Sequence, residues 1–97
     1  MAQRISRLDE AKIPAFHNHE EAREWFIAKY GEDFVPADSE VVELDTIVYY
    51  YHLVLDKEVY TREFEKMYRG EVIVGMDLIN SYQSIEIFDD GSVHIVH

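Results

Sequence analysis

Imidazoles are the side chains best able to move protons or hold a transition metal near neutral pH. This sequence carries five of them, at positions 17, 19, 52, 94 and 97. The densest group is His17-Asn18-His19-Glu20. Two imidazoles and a carboxylate would begin a zinc site, which takes three or four protein ligands. The same residues also read as the start of a helix. Asn18 is a good N-cap, Glu21 three residues later has the capping-box spacing, and Glu20 complements the positive end of the helix dipole. Further ligands would have to come from far along the chain, from His52 or His94. His17 and His19 therefore stand as weak metal candidates only, and neither a metal nor a cofactor is expected. The chain has no cysteine, so disulfides, thiolate catalysis and thiolate metal sites are excluded.

His94 and His97 close the chain in SIEIFDDGSVHIVH. Residues three apart on a strand point to opposite faces, so these two cannot ligate one ion while both stay in a strand. Loop length decides which side chains share a face. A three-residue loop, Asp89-Asp90-Gly91, places glycine at the left-handed position of a type I turn with a G1 bulge. That register pairs Ile87 with Val93 and Ile85 with Ile95, and it sets Glu86 opposite His94. A two-residue turn would mix apolar and polar side chains on both faces. The apolar pattern therefore selects the longer loop.

His52 lies in TIVYYYHLVL, a run dense in β-branched and aromatic residues. A pocket with Tyr50 would let it shuttle a proton. No nucleophile stands beside it in sequence. Ser39, Ser81, Ser84 and Ser92 lack a nucleophile-elbow pattern, and the glycines do not form a phosphate-cradling motif. The chain is read as non-catalytic on this ground. Tyr50, as one of three consecutive tyrosines, is a candidate anchor for a partner, because tyrosine is enriched in binding patches.

The strongest global signal is charge, −11 from 20 acids and nine bases. Residues 31–60 hold eight of the acids and one base. From Glu32 to Asp45 run six carboxylates without a base: Glu32, Asp33, Asp38, Glu40, Glu43 and Asp45. A field of this sign repels nucleic acid and anionic membrane and attracts basic partners. The expected function is a small acidic binding or regulatory protein that engages a basic protein through these six residues and Tyr50. Its sharpest form is an inhibitor that imitates a nucleic-acid backbone. The alternatives are a small enzyme or ligand-binding domain with a His52/Tyr50 pocket, and a subunit of a homo-oligomer. The opening residues MAQRISRLDEAKIPAF lack the apolar run of a secretory signal, and no apolar run approaches the ~20 residues needed to span a bilayer. A cytoplasmic protein is expected.

These residues need a scaffold, and 97 residues allow one domain. The region 1–17 reads as an arm or short helix. Residues 19–30 carry Ala22, Trp25, Phe26 and Tyr30 at helical spacing and stop at Gly31, so they form a helix. GEDFVPADSEVVELD reads as a loop passing into extended chain. A strand over 46–55 is apolar on both faces, as a covered central strand would be. Asp56 caps a helix over 57–69, with Tyr60, Phe64 and Met67 on one stripe. A strand over 71–76 and the hairpin 83–88/92–96 complete the chain. The expected fold is α+β: a small antiparallel sheet of about three to four strands packed with two helices, ending in a β-hairpin whose edge a second copy could pair with.

Overall fold

The computed structural model describes residues 3–43, 46–72 and 75–97, and over 38–43 and at Thr46 it describes the backbone alone. A four-stranded antiparallel sheet is the centre of the molecule, with strands in the order β1-β2-β3-β4. These are Phe34–Glu43 (β1), Thr46–Val54 (β2), Tyr82–Phe88 (β3) and Val93–Ile95 (β4). Helices α1 (Arg7–Ala11) and α2 (His19–Tyr30) precede the sheet, and α3 (Lys57–Tyr68) and the short α4 (Asp77–Asn80) lie between β2 and β3. The fold class is the one the sequence led us to expect.

Helix α2 starts where the cap residue allows. Asn18 Oδ1 accepts from the Glu21 backbone N–H at 2.8 Å. Its buried stripe is Ala22 and Phe26, and it covers the sheet face that carries Tyr51, Leu53, Ile85, Ile87 and Ile95. Phe26 stacks on Phe34 (centroids 5.2 Å apart), and Phe34 stacks on Tyr51 (4.6 Å). Full burial of each large side chain here contributes roughly 1.5–3 kcal/mol. Strand β3 alternates strictly, with Gln83, Ile85 and Ile87 buried on this face.

Gln83 is the polar member of that set. Its Oε1 accepts from the Ile5 backbone N–H at 2.7 Å, and its Nε2 donates to the carbonyls of Ile5 (3.0 Å) and Val96 (3.1 Å). One side-chain amide thus does the work of a neighbouring strand. It holds the N-terminal arm so that Ile5 is buried in the core. The arm then turns into α1 through a capping box between Ser6 and Asp9.

The closing hairpin has the three-residue loop. The Phe88 N–H donates to Ser92 O (2.8 Å), and the Gly91 N–H donates to Phe88 O (3.0 Å). Ile85 pairs with Ile95, Glu86 with His94, and Ile87 with Val93. Gly91 has φ +93°, a region that costs any residue with a Cβ. A Cβ there would also lie 2.5 Å from the Phe16 carbonyl oxygen and 2.8 Å from the Asn18 nitrogen. The hairpin loop therefore packs directly on the entry to α2.

The segment read as a loop passing into extended chain is a 3₁₀ turn, Gly31–Asp33, followed by β1, which pairs with β2 from Phe34↔Leu53 to Glu43↔Thr46, with an irregularity between Pro36 and Glu40. An edge strand tolerates a proline and such a bulge, and both obscure its pattern in sequence. The strand expected over 71–76 is not seen in the described part of that stretch, and Ile73 and Val74 lie outside the described residues. Glu71 is used up in closing α3: its N–H donates to Lys66 O (2.9 Å) while the Gly70 N–H donates to Met67 O (3.1 Å), the Schellman pattern. Gly75 then adopts φ +89°, and Met76 caps α4.

Candidate functional site

The two faces of β2 have different company. Its odd-numbered residues face α2, and its even-numbered residues, Tyr50 and His52 among them, face the other way. Helix α3 covers one end of that second face. Asp56 starts the helix by accepting from the Val59 N–H at 3.2 Å. Tyr60, Phe64 and Tyr68 follow one turn apart, so they share a stripe. Tyr60 and Phe64 are half-buried, and Tyr68 is 81% exposed.

Between this stripe and the start of β1 lies a cleft of about 280 Å³. It is lined by Tyr60, Phe64 and Tyr68 of α3 and by Pro36 and Ala37 of β1. His52 lines it from the sheet, and Thr61 and Glu65 line it from the exposed side of α3. The His52 ring is held in place: its Nδ1 lies 3.0 Å from the Tyr60 hydroxyl, and it stacks on Tyr82 with centroids 4.0 Å apart. The tyrosines that line this cleft with His52 are Tyr60 and Tyr68, and Tyr50, weighed from sequence as its pocket partner, is not among the described lining residues. Tyr50 lies two residues along the same sheet face, half-buried and opposite Glu86.

Charges around the cleft are unequally engaged. Glu63, 4% exposed, holds both Arg62 and Lys66 at 3.3 Å. Arg62 also reaches Asp77 of α4 at 3.9 Å, and Arg69 pairs with Glu71 at 2.8 Å. Glu65 makes no ion pair among the described residues. The expected stripe of Tyr60, Phe64 and Met67 is thus rotated: Glu63 is buried and Met67 is 45% exposed.

The acidic residues singled out in the sequence fall in three places. Glu32 and Asp33 sit on a 3₁₀ turn, Gly31–Asp33, directly before β1. Asp38, Glu40 and Glu43 belong to β1, with Glu40 opposite Tyr49 and Glu43 opposite Thr46 in the register. Asp45 lies outside the described residues. The strand that forms one wall of the cleft is therefore the strand on which half of these acids stand.

The remaining histidines are occupied elsewhere. His17 pairs with Glu21 at 3.2 Å. His19 lies 2.6 Å from the Tyr51 hydroxyl and stacks on Tyr49 at 3.6 Å. It is on the opposite sheet face from His52, so the two cannot share an ion. His94 pairs with Glu86 at 2.6 Å, and His97 with Glu10 at 2.9 Å. No group of three metal-ligating side chains occurs among the described residues. No helix of the described chain is long and apolar enough to cross a membrane.

Sequence reasoning missed Tyr68 and Glu65. The aromatic spacing 60, 64, 68 was legible, but Tyr68 fell outside a stripe drawn through Met67. No protein-family model, curated protein or solved structure matches the chain.

Proposed function

We propose that this is a non-catalytic binding or regulatory protein that engages a basic protein partner, with the contact running from the cleft along β1. The observation that carries the reading is the juxtaposition of an aromatic cleft with the strand bearing Asp38, Glu40 and Glu43. Aromatic side chains anchor protein interfaces, and carboxylates around them steer a partner of opposite charge. At −11 the whole molecule adds to that attraction. The sharpest version is an inhibitor whose carboxylates take the place of nucleic-acid phosphates in a basic cleft of the partner.

The test is capture from lysate of the source cell on immobilised protein, washed at low and high salt and read by mass spectrometry. The expected result is one basic protein, released at high salt because screening shortens to about 3 Å at 1 M. Glu40→Lys with Glu43→Lys should abolish its capture. Retention of nothing basic, or retention indifferent to the charge reversal, sinks the proposal.

A second reading is favoured by one observation, the placement of His52 in the cleft. It makes the protein a small-ligand domain. Charge reversal at Glu40 and Glu43 would then leave ligand binding intact, and His52→Ala would remove it. A homo-oligomer subunit, by contrast, would show a concentration-dependent mass and respond to neither change.

A further inference from the structure

We infer that the cleft between α3 and the start of β1 is the seat for a single arginine side chain of the partner, an inference that rests on the reading of the protein as a binder of a basic protein. The size of the cleft comes first. At about 280 Å³ it falls just below the ≈ 300–1,000 Å³ typical of pockets for drug-sized ligands and cofactors. It suits one long side chain.

Its chemistry selects a cation. Tyr60, Phe64 and Tyr68 offer the electron-rich faces on which a positive group is stabilised. Glu65 lines the same cleft and has no ion pair among the described residues. The neighbouring cations of α3 do not supply one: Arg62 and Lys66 are held by Glu63, and Arg69 by Glu71. Among the described residues, Glu65 is thus the one carboxylate lining the cleft, and none of their cations pairs with it. Tyr68, at 81% exposure, is an aromatic wall that core packing does not account for.

The lining separates arginine from lysine. It joins an aromatic stripe to the apolar Pro36 and Ala37. A planar, weakly hydrated guanidinium stacks on such a surface and still presents a fork of N–H donors to a carboxylate. A lysine ammonium is a compact and strongly hydrated point charge, and it gains less there.

The test uses three short peptides, Ac-Gly-X-Gly-amide, with arginine, lysine or citrulline at X. Citrulline keeps the planar end group and loses the charge. Each is titrated into ¹⁵N-labelled full-length protein and followed by amide chemical shifts. The arginine peptide should move the signals of Ala37, His52, Phe64 and Tyr68 in one saturable curve. The citrulline peptide should bind about tenfold more weakly, and the lysine peptide should fall between. Glu65→Gln and Tyr68→Ala alter exposed side chains and should leave the fold intact by circular dichroism. Each should weaken the arginine peptide about tenfold.

Equal binding of arginine and citrulline overturns the inference, as do shifts located away from the cleft or variants that bind like the parent. The two proposals fail separately. Capture of a basic protein that is lost on reversal of Glu40 and Glu43, together with an arginine peptide that ignores the cleft, removes the arginine seat and keeps the partner. An arginine peptide seated in the cleft with no basic protein captured keeps the seat and removes the partner.

Discussion

Single residues hold this fold at points where a side chain replaces backbone or where no side chain fits. Gln83 is the first kind. Gln83→Leu would keep the volume roughly and leave the Ile5 N–H and two carbonyls without their partner. Unpaired buried polar groups cost about 1–3 kcal/mol each, so the variant should lose about 3 kcal/mol in urea unfolding. Protection of the Ile5 amide from hydrogen exchange should fall with it. Gly91 is the second kind. Gly91→Ala combines φ +93° with a contact to Phe16, and a loss of about 1–3 kcal/mol is expected in the same measurement. Exposed carboxylates give the acid limb. The hydrogen bond from His97 holds the Glu10 carboxyl below its ordinary value. Hydrogen bonds from Ser6 do the same for Asp9, and those from Ser92 do so for Asp90. A lowered folded-state pKa contributes stability that is present above the unfolded value and lost as pH falls through the folded one. Stability should therefore decline below about pH 4.3, the usual glutamate value. Glu10→Gln should show a smaller drop in Tm between pH 7 and pH 3 than the parent.

Two helices on opposite faces of one sheet should respond to damage separately. Asp56→Ala removes the N-cap of α3 and should cost about 1 kcal/mol. Amide exchange should then speed up over 57–68 while α2 and the emission of Trp25 on it stay unchanged. A uniform response would show that α3 and α2 melt as one unit. The same two helices show how far the sequence could be read. Both begin at a cap residue and carry apolar residues at helical spacing, and both were legible to within a residue. The hairpin register followed from one glycine and the alternation of Ile85, Ile87, Val93 and Ile95. Strand β1 was legible only as extended chain without bounds, because Pro36 and a bulge interrupt its alternation. The strand reading of 71–76 rested on Val72, Ile73 and Val74; Ile73 and Val74 lie outside the described residues, and of the rest Glu71 closes α3 and Gly75 turns at φ +89°. For the candidate site, His52 was legible as a polar residue in an apolar strand. Its neighbours were not, because Pro36 and Tyr68 are 32 residues apart in the chain and only the sheet and α3 bring them to one cleft.

At the scale of the whole molecule, charge acts on the fold and on binding with opposite sign. A body of 40 × 29 × 20 Å with −11 charges repels itself. Salt should relieve this, so Tm should rise between 10 and 150 mM sodium chloride as the screening length shortens from about 30 to about 8 Å. Capture of a basic partner should fall over a similar change. Scanning calorimetry and the salt wash, run in parallel, would show whether the two effects separate in this way. The clamp made by Gln83 also has a consequence for how the chain is made. Ile5 and Gln83 are 78 positions apart. At about 5–20 residues per second, a ribosome leaves the arm without its seat for roughly 4–16 seconds. During that time the apolar side chain of Ile5 stays open to chaperones and proteases, and α2 and the β1-β2 hairpin lack the strand that completes their core. The arm is synthesised 78 residues before the side chain that secures it, so a nascent chain stalled before residue 83 should expose the arm around Ile5 to cleavage.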